Sequence, residues 1–158
     1  MAKWGMVIDL KKCMACMGCM MACKVDNFLP AGMEWNRLWD YETGNYPDVR
    51  SNFQPVQCMQ CENPACLEVC PTGATTQRED GIVTVDYDKC MGCGACEIAC
   101  PYGARQLYKG KKLYFGSQPI PTEEFPYELR FEHQRFRLGA ATKCVFCYHR
   151  IDEGMIKG

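Results

Sequence analysis

The stretch KCMGCGACEIACP, residues 89–101, decides the fold, because it places four cysteines within eleven residues and ends on a proline. A disulfide framework, a zinc site and an iron–sulfur cluster each use cysteines at this density. The segment 96–100 predicts one helical turn, which moves Cys100 about 6 Å along the helix axis, away from the three cysteines before it. Pro101 then ends the helix because it has no backbone N–H to donate.

The composition narrows these alternatives. The chain has 158 residues, enough for one domain or two small ones, and a formal net charge of −1. A large basic surface is therefore not expected, and neither is a nucleic-acid partner. The sequence predicts neither a signal peptide nor a membrane span of its own, so we expect a cytoplasmic protein. In a reducing cytosol the fourteen cysteines are metal ligands rather than disulfides.

The cysteines form four groups, and two of the groups repeat. The groups are Cys13, Cys16, Cys19, Cys23; Cys58, Cys61, Cys66, Cys70; Cys90, Cys93, Cys96, Cys100; and the pair Cys144, Cys147. Groups one and three match at a constant offset of 77 residues, and the match includes Lys12 with Lys89 and the segments before them. A fixed offset through ligands and flanks indicates duplicated units rather than chance clustering.

The spacing of group three is that of bacterial ferredoxins, in which the fourth cysteine serves the neighbouring cluster. Gly92 and Gly94 allow the tight loop that such a triplet needs. Group two has a longer loop but keeps the final turn and Pro71. If the fourth cysteines are exchanged, the two central sites are cluster A, with Cys58, Cys61, Cys66 and Cys100, and cluster B, with Cys90, Cys93, Cys96 and Cys70.

Zinc explains groups one to three less well, because structural zinc commonly takes two separated cysteine pairs or histidines. Cys144 and Cys147 alone are compatible with zinc, redox or structural roles. We predict an α+β, loop-rich chain of tandem ferredoxin-like halves, in which clusters replace much of the apolar core. Its predicted strands are listed here: Ala74–Arg78 and Ile82–Asp86, a hairpin across Asp80-Gly81, and Met6–Leu10 and Arg105–Tyr108.

Four stretches together resemble a known family: WGMVIDLKKCMACMGCMMACK (4–24), PVQCMQCENPACLEVCPTGA (55–74), VDYDKCMGCGACEIACPYGA (85–104) and TKCVFCYHRIDEG (142–154). They are similar to the four-cluster iron–sulfur subunits of dimethyl sulfoxide reductase-type molybdenum and tungsten oxidoreductases. The resemblance implies a row of four 4Fe-4S clusters and no catalysis by this chain. It also implies electron transfer between a large pterin-containing catalytic subunit and a membrane quinone-binding subunit or soluble carrier.

The sequence departs from that family after the fourth group, where the family has two more cysteines and this sequence ends at Gly158. The resemblance implies a cluster C at Cys13, Cys16 and Cys19 and a cluster D at Cys23, Cys144 and Cys147, each one cysteine short. Either the sequence is a shortened form of a longer protein, or these sites use a three-iron cluster, a partner's ligand or a non-cysteine ligand. His149 and Asp152 are the nearby candidates, although both also fit a solvated helix start.

The same resemblance suggests a division of the chain. We expect a central two-cluster domain at 53–108, an incomplete outer unit from 1–23 and 142–158, and linker or partner-contacting insertions at 24–52 and 109–141. The stretch from Gly116 to Leu138 is assigned to contact with the catalytic subunit. The linker aromatics are expected in the core first and on a partner-facing patch second: Trp35, Trp39, Tyr41 and Tyr46.

Two residue types next to the cysteines are open to interpretation. Lys12, Lys89 and Lys143 each precede a cysteine group, where they either raise cluster potentials or solvate the loop. Methionines beside cysteines are expected to fill space around the clusters and exclude water: Met14, Met17, Met20 and Met91.

Three rival functions and one alternative location follow from the sequence. The chain could be a stand-alone polyferredoxin for a hydrogenase or an aldehyde or formate oxidoreductase. It could be an enzyme with an exchangeable iron at a three-cysteine site, or a zinc-bound interaction module. A location on the periplasmic face follows if a signal-bearing partner exports the folded chain with it.

Overall fold

The computed structural model describes residues 3–109 and 137–154. Its elements are short: helices α1 (Gly18–Asp26), α2 (Ala65–Glu68), α3 (Ala95–Ile98) and α4 (Tyr148–Asp152), and strands β1 (Arg37–Thr43), β2 (Arg50–Val56), β3 (Thr75–Gln77), β4 (Val83–Val85), β5 (Gln106–Leu107) and β6 (Ala141–Thr142). Loops connect them, which confirms the α+β, loop-rich class. No helix in the described ranges has the length and apolar character that a membrane crossing requires.

The strands form three separate two-stranded antiparallel sheets, β1–β2, β3–β4 and β5–β6. The hairpin predicted across Asp80-Gly81 is present, with Thr75 opposite Val85 and Gly81 at φ +85° in the turn. The strand predicted at 105–108 is reduced to β5, which pairs with β6 from the far end of the chain.

Two aspects of the strand prediction were wrong. Residues 6–9 form no strand, and Leu10–Lys12 form a short 3-10 helix instead. Val7 is 97% exposed, and within the described ranges no second strand pairs with this segment, so its backbone lacks the ladder that a strand requires. The long hairpin β1–β2 was not predicted, because it begins in the segment assigned as a linker.

The core consists of two apolar clusters that both include cysteines. One gathers Leu29, Met33, Trp35, Tyr108, Cys144 and Val145, and the other gathers Ala74, Val85, Cys90, Cys96, Ala140 and Ala141. Tyr87 packs against both clusters and so links them. The cysteines are therefore part of the core and do not form a separate surface feature.

The linker aromatics divide between core and surface. Trp35 is buried, as predicted, and its Nε1 donates a hydrogen bond of 3.0 Å to Oγ1 of Thr142 in β6. The core prediction was wrong for Trp39, Tyr41 and Tyr46, because all three are exposed. The stretch assigned to a partner, residues 116–138, lies outside the described residues except for its last two.

Helix α4 is held in place by two ion pairs, one at its last residue and one at its middle residue. Arg78 in the β3–β4 turn donates two hydrogen bonds to the Asp152 carboxylate, at 2.8 and 2.6 Å, and its guanidinium lies 5.1 Å from the centre of the Tyr148 ring. Arg150 pairs with Asp26 at the end of α1. Asp152 therefore serves the docking of α4, and this contact does not support its role as a cluster ligand.

Candidate iron-sulfur cluster sites

All four cysteine loops share one backbone feature. The residue immediately before the second cysteine has a left-handed backbone in each loop: Ala15 at φ +57°, Gln60 at +47°, Gly92 at +74° and Phe146 at +55°. Non-glycine residues adopt this conformation at a cost, and they are found where the surrounding structure or a functional site requires it. The shared conformation indicates that the four loops have one common architecture.

Groups one and three also match at the level of structure. Helices α1 and α3 begin at Gly18 and Ala95, which are 77 residues apart, and each follows a left-handed N-cap residue. Asp9 and Asp86 occupy equivalent positions, and each accepts a backbone hydrogen bond of 3.0 Å in the turn before its loop. The duplication inferred from sequence is therefore present in the backbone of both units.

The structure brings the last cysteine of group two to the first three of group three. Cys70 lines one pocket together with Cys90, Cys93 and Cys96. This approach follows from the packing of α2 against α3, because each helix carries the third cysteine of its own group and is followed by the fourth. The cavity lining therefore joins the four thiols assigned to cluster B.

A second set of thiols surrounds Cys61. Burial raises the pKa of the Cys61 thiol, and the neighbouring thiols of Cys58, Cys66 and Cys100 raise it further. These four residues are those assigned to cluster A. Cys100 itself accepts a hydrogen bond of 3.4 Å from the backbone N–H of Ala104.

The outer sites differ from one another. Burial raises the pKa of Cys23 to about 12, and the thiols of Cys144 and Cys147 contribute to that shift, so these three members of cluster D lie together. For cluster C, Cys13 is half-buried whereas Cys16 and Cys19 are exposed. These three cysteines are assigned to one cluster because they lie on the same short loop.

Several of the thiol sulfurs accept hydrogen bonds. Backbone N–H groups of Ala141 and Phe146 donate hydrogen bonds of 3.4 Å to the sulfurs of Cys90 and Cys144. At Cys70, burial acts to raise the pKa, but hydrogen bonds from the backbone and hydroxyl of Thr75, among others, outweigh it and lower the pKa to about 7. Hydrogen bonds to sulfur stabilise thiolates and tune the clusters that they bind. The donor set therefore fits iron–sulfur clusters.

The described residues give zinc no comparable support. In residues 3–109 and 137–154, no three histidine, cysteine, aspartate or glutamate side chains gather closely enough to bind one metal ion. In a 4Fe-4S cluster each cysteine instead binds a different iron atom at a corner of the cube, so the four thiols do not converge on one ion.

Two cations lie buried among the thiols. Arg105 is 2% exposed, and it donates hydrogen bonds to Sγ of Cys66 at 3.1 Å and to Oγ1 of Thr75 at 3.2 Å. Arg105 also lines the cavity that contains Cys70. Its position was not identified from sequence, where a single arginine after a Cys-Pro pair carries no distinctive signal.

Lys143 is fully buried, in contrast to the lysines that precede groups one and three. Its Nζ donates to Oε1 of Gln60 at 3.2 Å and to the carbonyl of Cys144 at 2.9 Å. Burial lowers the pKa of Lys143, whereas the thiolate of Cys58 acts to raise it. Lys12 and Lys89 are exposed and pair with aspartates three residues earlier, at 3.8 and 3.0 Å. The solvated-loop interpretation therefore holds for these two lysines and is wrong for Lys143.

The methionines beside the cysteines are mostly exposed. Met14, Met17 and Met91 are 79%, 53% and 65% exposed. The expectation that they exclude water from the clusters was wrong for these three, and Met20 alone of the four is half-buried.

Fold and thiol geometry together define a class, that of ferredoxin-like proteins with several cysteine-bound clusters. Residues 49–115 match the model of a 4Fe-4S dicluster domain, and residues 10–26 match that of a 4Fe-4S binding domain. The cofactors are accordingly 4Fe-4S clusters. Nearly the whole chain also matches iron–sulfur subunits of respiratory enzymes.

Three relatives illustrate the match. The B subunit of selenate reductase from Mesobacillus selenatarsenatis is 45% identical over 98% of this chain and 55% of its own length. The arsenate respiratory reductase iron-sulfur subunit of a Shewanella species is 33% identical over 96% of this chain and 74% of its own. The corresponding B component of anaerobic dimethyl sulfoxide reductase from Escherichia coli is 34% identical over 96% and 65%.

The chain thus belongs to the family of 4Fe-4S subunits of dimethyl sulfoxide reductase-type oxidoreductases, as the resemblance in sequence predicted. It spans little more than half the length of the selenate reductase subunit. The activity and partners of the whole protein are therefore matters for proposal.

Proposed function

We propose that this chain is a non-catalytic subunit that relays single electrons between a molybdenum or tungsten pterin catalytic subunit and a membrane quinone-binding subunit or soluble carrier. The names of its relatives support this assignment, because they are iron–sulfur or B subunits of selenate, arsenate and dimethyl sulfoxide reductases. The same names favour it over a stand-alone carrier. We place the complex in the cytoplasm, or on the periplasmic face if a signal-bearing partner exports it.

The observation that supports the proposal is the approach of the two central cysteine groups to one another. Cys70 opens into the cavity of the group-three triplet, and Cys100 lies beside Cys61 of group two. We assign cluster A to Cys58, Cys61, Cys66 and Cys100, and cluster B to Cys90, Cys93, Cys96 and Cys70. Because each group holds part of both sites, the two clusters lie next to one another on a shared scaffold.

The chain's residues hold the clusters and shield them, whereas the clusters supply one-electron chemistry. Four cysteines at each central site leave no position for substrate, which supports a conduit over an enzyme. The outer sites extend the row: three cysteines from group one form cluster C, and Cys23, Cys144 and Cys147 contribute to cluster D.

Serine variants test the crossed assignment in the iron-loaded protein. We expect Cys61→Ser and Cys100→Ser to alter one reduced-state EPR signal, and Cys93→Ser and Cys70→Ser to alter a different one. The assignment would be overturned if Cys70→Ser altered the same EPR signal as Cys61→Ser, or if Cys100→Ser altered the same signal as Cys93→Ser. Each variant is compared with Thr76→Ser, an exposed change on the β3–β4 hairpin.

Copurification tests the partner. We expect a tagged chain, isolated anaerobically from its own cells, to bring down a large subunit that contains pterin and molybdenum or tungsten. Reduction of that subunit's substrate should then oxidise the dithionite-reduced clusters. Recovery of a hydrogenase, or of no redox enzyme, would contradict the proposal.

A further inference from the structure

Arg105 and Lys143 are buried cations for which the described residues provide no carboxylate partner. Both are buried, and within residues 3–109 and 137–154 neither forms an ion pair with a carboxylate. A buried charge without a counter-charge costs several kcal/mol. The compensation must therefore come from another anionic group nearby.

Both cations make hydrogen bonds to the cysteine group that supplies three of the four cluster A ligands. Arg105 donates directly to the sulfur of Cys66 at 3.1 Å. Lys143 donates to Oε1 of Gln60 at 3.2 Å, and Gln60 lies between the cluster A residues Cys58 and Cys61.

The two cations occupy different sides of this site. Arg105 lies towards cluster B, because it also lines the cavity of Cys70 and its charge acts on Cys96. Lys143 lies towards cluster D, because it bonds to the carbonyl of Cys144 and follows β6. Cluster A is thus flanked by one fixed positive charge on each side.

We infer that Arg105 and Lys143 are the charge-compensating residues of the cluster A site and that they raise its reduction potential. Reduction adds a negative charge to a site that is already anionic, and a buried cation stabilises the reduced form more than the oxidised form. Hydrogen bonds to sulfur act in the same direction. Exclusion of solvent acts in the opposite direction, because burial disfavours the more negatively charged reduced form. The inference rests on the ligand sets proposed above.

The test is an EPR-monitored redox titration of the iron-loaded protein, with the cluster A signal identified by Cys61→Ser. We expect Arg105→Gln and Lys143→Gln each to lower the equilibrium constant for one-electron reduction of cluster A about tenfold, which is about 59 mV. Arg105→Gln should also lower the potential of cluster B, whereas Lys143→Gln should leave cluster B unchanged.

Lys89→Gln is the matched control, because Lys89 also precedes a cysteine group but is exposed and paired with Asp86 at 3.0 Å. We expect Lys89→Gln to change the equilibrium constant for one-electron reduction of either central cluster by no more than about twofold, because exposed charges have weak effects. The charge-preserving variants Arg105→Lys and Lys143→Arg should retain most of the wild-type potential. A structural role alone would not produce this dependence on charge.

The outcomes separate this inference from the proposed function. Unchanged cluster A potentials in Arg105→Gln and Lys143→Gln with full iron would overturn the inference while leaving the ligand sets intact. If the neutral variants lose iron but the charge-preserving ones keep it, the requirement for positive charge is supported. If the charge-preserving variants lose iron as well, the site depends on the shape of these side chains rather than on their charge, and the inference fails. If the proposed ligand sets are wrong, the EPR signals of the cysteine-to-serine variants will show it independently of these potentials.

Discussion

At the scale of single residues, the cluster loops depend on backbone conformations that side chains usually resist. Gly92 and Gly94 were predicted to take left-handed conformations, and both do. Ala15 was not identified, although the 77-residue repeat aligns it with Gly92. A non-glycine residue reaches this conformation only under tertiary constraint, and composition does not reveal that constraint.

Gly92 also lets the carbonyl group of Gly139 approach its backbone closely, in space that a side chain would otherwise occupy. A Cβ at this position would lie 2.1 Å from the carbonyl oxygen of Gly139. We predict that Gly92→Ala disrupts the cluster B loop and removes about four iron atoms per chain, one cluster, because the backbone must move. Iron analysis and the EPR signal of reduced cluster B measure the loss.

Gly73 provides the control for this prediction. It has the same left-handed backbone, at φ +63°, but a Cβ there would have no atom within 4 Å. Gly73→Ala should therefore cost about 1–2 kcal/mol of stability and keep its iron. Equal iron loss in the two variants would show that backbone strain, and not the contact with Gly139, is responsible.

The burial of Lys143 is a second single-residue feature that the sequence predicted only in part. Lys143 was singled out with Lys12 and Lys89 because each precedes a cysteine group. Sequence position could not separate the buried lysine from the exposed ones, because its surroundings include Gln60, which lies far away along the chain.

At the scale of elements, local hairpins were predictable and distant pairings were not. The β3–β4 hairpin follows from Asp80-Gly81, whose turn chemistry is local. The β5–β6 pairing joins Gln106 to Thr142 across a long intervening segment, and no local signal specifies it. The segment assigned as a linker contributes Trp35 to the core by the same kind of distant contact.

The hydrogen bond between Trp35 and Thr142 gives a test of that distant contact. We predict that Thr142→Val lowers the free energy of unfolding by about 1–3 kcal/mol, because Nε1 of Trp35 loses its buried acceptor. The midpoint of thermal bleaching should fall by a few degrees in the iron-loaded protein. Thr76→Val is the control, since its hydroxyl pairs with that of Thr84 in an exposed position. Equal shifts in the two variants would contradict the prediction.

The docking of α4 decides between two roles for Asp152. Arg78 donates to its carboxylate and lowers its pKa, as expected for an ion pair. We predict that Asp152→Ala leaves the iron content and the EPR spectrum unchanged and lowers the free energy of unfolding only slightly, because the ion pair is partly exposed. Arg78→Ala should have a similar effect, and the double variant should add little. Loss of a cluster signal in Asp152→Ala would instead identify it as a ligand.

At the scale of the whole molecule, the cofactors and the core are one system. Both apolar clusters of the core include cysteines assigned to cluster sites, and Tyr87 lies between them. The ordered motifs allowed the family and cofactor to be predicted from sequence, because cysteine spacing directly encodes the cluster loops. The neighbours around each site came from packing between groups, which spacing describes only in part.

This coupling predicts that the protein loses its fold when iron is removed. Without clusters, burial opposes ionisation of the core thiols, and the pKa of Cys144 is raised to about 11, burial being the main cause. Arg105 and Lys143 would then be buried without counter-charge, at a cost of several kcal/mol. We expect anaerobic chelation to abolish the cooperative thermal transition followed by circular dichroism, and iron with sulfide to restore it. Zinc is the control metal, and it should restore neither the transition nor the visible absorption. An iron-free protein that kept the original transition would show that the polypeptide core is sufficient by itself.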